Sequence, residues 1–313
     1  MKLLYRNYLY EAVSYEQTPA FKAWFGDSKV KDDEGQPLNV YHGSTHDFDT
    51  FDLKKTYAEA YVGGGFYFTA NPYDASENYA GKGPDAENKI SQIVDNVNSY
   101  DDTDTDIAEM LGITDEELDS AREDDTLDGL IKNYAEKKIM GENPVPNIMP
   151  VYLRMVNPFY IGDNFKQYFE YYIPFDEETG VEGEPEGDGV CLITNLTDDI
   201  NELDLRDNAA TLAKLMEELE PIDGFNSTQF FNAIKDCEAL IDATDDNGDR
   251  IGPGNFFKDI ILKCGFDGVI MDSSIFRNMP GAANNLHYIV YSPNQVKSIF
   301  NKNPTNDPSV TKE

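Results

Sequence analysis

The chain has 313 residues, of which 59 are Asp or Glu and 25 are Lys or Arg, and its net charge is −34. So acidic a surface repels phosphates, which argues against binding along a nucleic-acid backbone. Hydrophobic residues make up 40% of the chain, enough for a sizeable core. The N-terminus has no long apolar core and is interrupted by Arg6 and Glu11, and no apolar run of about 18 residues occurs elsewhere. We therefore expect no signal peptide, no membrane partner and a cytoplasmic location.

The three cysteines are widely spaced along the chain: Cys191, Cys237 and Cys264. Their odd number and spacing predict neither a disulfide framework nor a metal cluster, and favour a reducing compartment for the protein. The cysteines are then expected to be small buried hydrophobic residues. A calcium loop around Gly248 is disfavoured because its first and twelfth ligand positions would be Ala243 and Gly254. The sequence therefore predicts no metal.

The first part of the chain shows local helix and strand signals. Thr18, followed by a proline, predicts the start of a helix. Strands are predicted at 36–42 and at 66–69, the second following a flexible glycine run. Asn71 predicts a capped helix that ends at Gly81.

Two acidic segments follow at different points of the chain. Residues 85–129 hold 16 acids against two bases, with a capping box at 114–117, and predict helices with an acidic solvent face. Residues 176–188 hold seven acids and no base among glycines, which predicts a mobile loop.

The second half regains order. Strands are predicted at 151–159, where the strand ends in a turn, at 266–271 and at 288–291. Two helical patterns are predicted within 207–243 and one helix at 255–264. The polar residues from Asn301 onward predict a disordered tail.

Two strand ends and one helix carry the residues of chemical interest. The first strand ends in His42, Gly43 and Ser44, and the second carries Tyr67 in an aromatic run. The capped helix bears Ser76 and Tyr79, three residues apart and so on one helical face. An imidazole and a phenol ring at two strand ends are suited to holding a planar, charged heterocycle.

This combination resembles the ADP-ribosyltransferases of the poly(ADP-ribose) polymerase and diphtheria-toxin (H-Y-E) class. It is most similar to the modules found in polyvalent proteins of phages and mobile elements. The resemblance covers about 18–82, 150–160 and 255–300, and is clearest at Phe21–Val30 and Tyr41–Ser44. It implies an α+β fold with a split, twisted, mainly antiparallel β-sheet, into which 84–146 and 162–250 would be acidic helical insertions. The implied domain spans 18–300, after a lead-in at 1–17 and before a disordered tail at 301–313.

The resemblance also assigns roles. His42 stands where the family holds a ribose hydroxyl of NAD, and Gly43 where backbone groups bind the nicotinamide carboxamide. Ser76 matches the serine that bonds that carboxamide, and Tyr67 and Tyr79 match the rings on either side of nicotinamide. The implied NAD-binding residues, with the neighbouring hydroxyl included, are His42, Gly43, Ser44, Tyr67, Ser76 and Tyr79.

His287 stands where the family has its third signature residue, a glutamate just before a strand. The implied catalytic residues are therefore His42, Tyr67 and His287. A glutamate would stabilise the developing ribosyl cation, whereas a neutral imidazole supplies no negative charge. Three interpretations remain open: mono- rather than poly-ADP-ribosylation, an acid supplied by Asp272, or NAD binding without transfer. For Gln295, in a family-like turn, a structural or acceptor-side role is favoured over catalysis.

The leading hypothesis is a phage- or mobile-element-encoded, toxin-like mono-ADP-ribosyltransferase. It would use NAD without metal and modify an unknown host macromolecule, most simply a protein. The alternatives are a catalytically inactive NAD-binding protein or acidic decoy, and an NAD glycohydrolase.

Overall fold

The computed structural model describes residues 15–45, 48–57, 60–81, 83–99, 104–142, 144–176, 180–219, 223–241, 243–244, 250–272 and 285–310. The helices are α1 (Pro19–Phe25), α2 (Pro72–Asp74, continuing as a π-helical turn at Ala75–Tyr79), α3 (Pro84–Ser99), α4 (Asp104–Leu111), α5 (Asp115–Glu123), α6 (Leu127–Met140), α7 (Val190–Glu202), α8 (Asn208–Leu219), α9 (Ser227–Lys235) and α10 (Gly252–Lys263). The strands are β1 (Val40–Ser44), β2 (Phe66–Thr69), β3 (Asn147–Leu153), β4 (Pro158–Ile161), β5 (Tyr168–Glu170), β6 (Phe175–Asp176), β7 (Val181–Glu182), β8 (Gly224–Asn226), β9 (Gly268–Asp272), β10 (Leu286–Val290) and β11 (Val296–Ser298).

The chain divides into two compact units. The sheet unit contains the described residues up to Val40, those from Asp49 to Ala70 and those from Val151 onward. The helical unit contains Tyr41–Phe48 and Asn71–Pro150. The predicted insertion boundaries at 84–146 and 162–250 stay a prediction.

The sheet unit is built on mixed, mainly antiparallel pairing. β10 pairs antiparallel with β2 on one side and with β9 on the other, and β4 pairs parallel with β9. β11 pairs antiparallel with β3 over Val151–Leu153. The predicted α+β class is confirmed. The strand predicted at 151–159, ending in a turn, is shorter than predicted, because β3 ends at Leu153 and the turn lies before Pro158, where β4 begins.

Aromatic residues of the strands and helices form the main core of the sheet unit. Phe159 of β4 lies at its centre, with its ring 5.2 Å from that of Phe257 in α10 and 5.6 Å from that of Phe169 in β5. α7, α8 and α9 contribute buried residues to the same cluster. The helical patterns predicted within 207–243 are confirmed as α8 and α9.

The structure corrects the prediction for the cysteines. Cys191, in the first turn of α7, and Cys264, just after α10, form a disulfide across 73 residues of sequence. Cys237 is free and buried, as predicted for all three. The sequence did not reveal the pair because only the packing of α7 against α10 brings the two thiols together. The bond also removes the argument for a reducing compartment, which rested on the absence of disulfides.

The helical unit packs α3 to α6 around small apolar clusters. Leu118 of α5 and Ile131 of α6 are fully buried in one cluster, and Ile90 of α3 and Ala135 of α6 in another. The predicted capping box is confirmed, since the Thr114 hydroxyl accepts from the Glu117 backbone N–H and the Glu117 carboxylate accepts from the Thr114 N–H. That pairing holds the pKa of the Glu117 carboxyl below its ordinary value.

Two segments predicted to lack order are structured. In the acidic segment, β6 and β7 form an antiparallel pair, so the predicted mobile loop is wrong for the described residues on either side of 177–179. In the predicted tail, Val310 is fully buried and its N–H donates to the Asp49 carbonyl. The Lys297 ammonium, also buried, donates to the Asp307 and Ser309 carbonyls. These nonlocal contacts order residues up to 310.

Candidate active site

The predicted His-Gly-Ser motif lies in β1. The strand covers Val40–Ser44, so it begins four residues later and ends two residues later than the strand predicted at 36–42. His42, Gly43 and Ser44 are all half-buried. The His42 ring meets the Phe48 ring edge-on, with 5.8 Å between centroids and 74° between planes. The ring contact holds the imidazole on one side.

Gly43 lies directly against the π-helical turn that carries Ser76 and Tyr79. A Cβ at position 43 would lie 2.6 Å from the Tyr79 Cβ and 2.9 Å from the Ala80 nitrogen, and closer still to the Ala75 carbonyl oxygen. Real Cβ atoms essentially never come within 3.0 Å of such atoms, so the contact requires glycine. The structure therefore brings together the backbone at Gly43 and the turn that bears Ser76 and Tyr79, all within the helical unit.

The turn itself departs from the predicted α-helix. Asn71 caps it as expected, its side chain accepting from the Tyr73 N–H, but the Ala80 N–H then bonds the Ala75 carbonyl five residues back at 2.9 Å. Ser76 and Tyr79 lie within this wider turn, so they are farther apart around the axis than α-helical spacing predicts. Single π-turns occur often at functional sites.

Two contacts that the sequence did not predict brace this turn. A Cβ at Gly83 would lie 2.8 Å from the Asn78 carbonyl oxygen and closer still to that of Glu77. The Asn78 amide donates to the Asp74 carboxylate within the turn. A glycine that follows a predicted helix end is an ordinary loop signal, so nothing in the sequence singled out Gly83.

Tyr67 lies in β2 of the sheet unit, and its hydroxyl is bound to the preceding glycine run. The phenol donates to the Gly63 carbonyl at 2.9 Å and accepts from the Val62 N–H at 3.3 Å. The ring is half-buried and packs against the main core. These contacts fix the ring position.

The glycine run is tied down rather than flexible. The Gly64 N–H donates to the Asn255 side-chain oxygen at 2.9 Å, and the Lys258 ammonium donates to the same oxygen at 3.0 Å. Asn255 lies in the first turn of α10 and was missed by the sequence analysis. The Gly-Pro-Gly-Asn run that opens this helix was the available signal.

His287 is the second residue of β10, not the residue before the strand, and is 6% exposed. It pairs with Thr69 of β2 and Met271 of β9, while Tyr67 pairs with Ile289. Because directly paired residues and alternate residues share a face, His287 and Tyr67 lie on one face of the sheet as diagonal neighbours. Such positions are about 7–8 Å apart.

Asp272 lies on the other face of that sheet. It pairs with Leu286, the neighbour of His287, so its side chain starts on the opposite side from those of His287 and Tyr67. The carboxylate is buried and accepts a hydrogen bond from the Asn164 amide. The hypothesis that Asp272 supplies the missing acid is therefore opposed by the strand register.

Two buried tyrosines, Tyr288 in β10 and Tyr291 just after it, lie in the sheet unit. The Tyr291 hydroxyl donates to the Val62 carbonyl at 2.8 Å, and burial raises its pKa well above the ordinary value. Burial also raises the pKa of Tyr288 to about 12. Both rings are therefore neutral at physiological pH, and they add no negative charge to this part of the sheet.

A cleft of about 670 Å³ lies elsewhere in the sheet unit, between the loop after β4 and helix α9. It is lined by Gly162, Asp163, Phe165, Lys166, Gln167, Tyr168, Glu218, Asn226, Thr228, Gln229, Asn232, Ala233 and Asp236. None of the predicted site residues lines it. The predicted site therefore rests on the two arrangements already described.

Gln295 has the structural role favoured from its sequence. Its amide nitrogen donates to the Asp267 carbonyl at 2.7 Å and to the Arg154 carbonyl at 3.1 Å. Its oxygen accepts from the Ser292 N–H at 3.0 Å. All these groups belong to turns between strands, so the residue joins chain segments.

The described part of the chain contains neither a metal-binding cluster nor a membrane-spanning helix. Among the residues described, no group of three or more His, Cys, Asp or Glu is placed to hold a metal ion. No helix within those residues is long and apolar enough to cross a membrane.

Comparison with known protein families gives a match over about a third of the chain. Residues 32–140 match the family model described as ADP-ribosyltransferase in polyvalent proteins. No curated protein and no solved structure matches the chain. The matched range holds His42, Gly43, Tyr67, Ser76 and Tyr79, ends before His287, and runs through the helices α3 to α6. The match supports an ADP-ribosyltransferase domain of the polyvalent-protein type within residues 32–140.

Proposed function

We propose that this chain is an NAD-dependent mono-ADP-ribosyltransferase, encoded by a phage or mobile element and acting on a protein in the host cytoplasm. The observation that carries the proposal is the family match over residues 32–140, within which Gly43 is packed against the turn bearing Tyr79. The polyvalent-protein type of the match supports the mobile-element origin.

In the proposed reaction the bond between the ribose C1′ and the nicotinamide nitrogen breaks. The bonding electrons leave with nicotinamide, the sugar develops oxocarbenium character, and an acceptor nucleophile attacks C1′ and loses its proton. His42 would hold a ribose hydroxyl and Gly43 would offer its backbone to the carboxamide. Ser76 would donate to or accept from the same carboxamide, which fixes the leaving group.

The two tyrosines would contact the nicotinamide ring. A phenol face attracts a pyridinium cation through its quadrupole. The two hydrogen bonds of the Tyr67 hydroxyl hold its ring in place, so little side-chain freedom would be lost on binding. The Cβ of Tyr79 lies directly against Gly43, so the backbone position from which the Tyr79 ring extends is restricted as well.

His287 supports single transfer rather than chain elongation. A buried imidazole on the Tyr67 face of the sheet can form hydrogen bonds but carries no negative charge to stabilise a ribosyl cation. The same observation favours the second candidate function, NAD binding without transfer. NAD glycohydrolysis is the third outcome, with water as the acceptor.

The test incubates the purified chain with NAD labelled in the adenylate part and a host lysate, and measures free nicotinamide and label on protein. We expect wild-type transfer, and a loss of about a hundredfold or more in His42→Ala and in Tyr79→Ala. Tyr73→Ala is the matched control for Tyr79→Ala, because Tyr73 is in the same segment and 74% exposed. It should keep wild-type activity.

Each other outcome points to a different function. Nicotinamide release without labelled protein would identify a glycohydrolase. Saturable NAD binding that His42→Ala weakens, without turnover, would identify a binding protein. If the chain showed neither NAD binding nor turnover, the enzymatic proposal would be refuted and an acidic decoy would remain.

A further inference from the structure

The sheet unit carries an ordered, acidic projection that the proposed reaction does not use. This acidic arm, residues 168–176 and 180–188, includes β5 and the paired strands β6 and β7. Its base is anchored, since β5 pairs with β8 and the side chains of Phe169 and Tyr171 are buried in the main core. Reciprocal backbone hydrogen bonds then join Tyr172 and Glu186, at 2.8 and 3.1 Å. The described backbone of the arm is thus paired at its base, at Tyr172 and in β6 and β7.

Large apolar side chains are exposed on this arm. Among the residues that the structure describes, 11 large hydrophobic side chains are exposed, and five of them lie within 14 positions of the arm: Tyr168, Tyr172, Ile173, Phe175 and Val181. Phe175 and Val181 are each 60% exposed. Single exposed apolar residues are normal, but a concentration on one ordered element marks an interaction surface.

Charge defines the partner that this surface fits. The described arm carries Glu170, Asp176, Glu182, Glu184, Glu186 and Asp188, and the sequence has no Lys or Arg from 167 to 205. Nucleic acid, an anionic lipid surface and a second copy of this acidic chain would all be repelled. A cationic partner would be attracted.

The register of β6 and β7 indicates which cationic side chains fit the arm. Phe175 lies directly opposite Glu182, and Val181 directly opposite Asp176, so each face of the two strands pairs one exposed apolar side chain with one carboxylate. The Tyr172 hydroxyl likewise donates to the Glu186 carboxylate at 2.6 Å. Lysine and arginine match such pairs, because the aliphatic stem can lie on the apolar group while the charged end meets the carboxylate.

We propose that the acidic arm docks a segment of a partner protein in which Lys or Arg alternates with apolar residues. The proposal is independent of the proposed transfer of ADP-ribose. It predicts that binding depends on the apolar side chains of the arm as well as on its charge, which separates it from the general attraction of a polycation to a chain of net charge −34.

The probe is a fluorescent synthetic peptide that alternates lysine with valine, tested by anisotropy against the full chain at near-physiological salt. Two further peptides replace every lysine by glutamine or every valine by glycine. We expect the first peptide to bind at least about tenfold more tightly than either analogue. The double variant Phe175→Ser/Val181→Ser should lose about tenfold or more in affinity.

The control replaces two exposed apolar residues outside the arm, Leu53→Ser/Ile241→Ser, and should bind like the wild type. Equal binding of the valine-free peptide, or equal losses in both double variants, would overturn the proposal in favour of nonspecific charge attraction. Sedimentation without peptide is the second readout. A wild-type dimer that Phe175→Ser/Val181→Ser converts to monomer would overturn it in favour of self-association.

Discussion

Gly43→Ala is the most demanding test of the site geometry. The added Cβ would lie 2.6 Å from the Tyr79 Cβ and 2.9 Å from the Ala80 nitrogen, against a lower limit of 3.0 Å for real Cβ contacts. It would be closer still to the Ala75 oxygen. All three neighbours are backbone or backbone-proximal atoms, so rotation of a side chain cannot relieve the overlap. β1 and the π-turn must separate by several tenths of an ångström.

Overpacking of this kind costs about 1–3 kcal/mol. For a domain of this size each kcal/mol lowers the melting temperature by roughly 2–4 °C. The strain falls on the Ala80 N–H···O=C Ala75 bond, so hydrogen exchange in a peptide spanning 71–81 should accelerate. If the proposed function is correct, the displaced backbone should also reduce transfer about a hundredfold.

Gly129→Ala is the matched control. It is the same substitution in the same unit, within α6, where a Cβ would meet no atom within 4 Å. It should raise stability by up to about 1 kcal/mol through helix propensity. A Gly43→Ala protein with wild-type melting and unchanged exchange at 71–81 would refute the close packing of β1 on the turn.

Three further predictions concern the sheet unit. Asn255→Ala removes the acceptor of the Gly64 N–H and should cost about 1–3 kcal/mol, measured by urea unfolding, with faster exchange at Gly64. Reduction of the Cys191–Cys264 bond should cost about 2–4 kcal/mol, measured as a lower melting temperature in dithiothreitol. The folded-state pKa of Tyr288 is raised from 10.0 to about 12. Its contribution to the free energy of unfolding is therefore fully present below about pH 10 and is lost as the pH rises toward 12. Tyr288→Phe should therefore make urea stability less sensitive to pH by about 2–3 kcal/mol over that window.

Each of these has its own control. Lys258→Met keeps the Asn255 contact to the glycine run and should cost less than Asn255→Ala; the reverse order would contradict the assigned role. A Cys191→Ala/Cys264→Ala protein should have the same melting temperature with and without dithiothreitol. A wild-type protein whose melting temperature does not change in dithiothreitol would contradict the disulfide. Equal alkaline stability losses in wild type and Tyr288→Phe would contradict the burial argument.

Local chemistry explains what the sequence predicted well. The caps at Thr18, Asn71 and Thr114 each involve residues two or three positions apart, so the sequence contains both partners. The strand at 66–69 is bounded by glycines and a cap, and was predicted to the residue. The residues of the candidate site were likewise chosen from short motifs.

The errors have a common physical origin in contacts between distant residues. Cys191 and Cys264 meet only once two helices have packed. The π-turn packs against Gly43, some thirty positions earlier in the chain. The order of the segment up to Val310 depends on Asp49 at the other end of the sequence. Polarity alone suggested disorder there, because the partners were not visible.

That last segment bears on how the protein can be handled. β11 lies at the edge of its sheet, and the Ser298 N–H donates to the Val310 carbonyl. The returning chain thereby occupies backbone groups that an uncovered edge would offer to another molecule. A protein shortened before Asp307 would lose this cover as well as both carbonyl acceptors of the buried Lys297 ammonium, and would be prone to aggregation during expression and storage. An affinity tag placed after residue 310, by contrast, leaves the protective pairing in place.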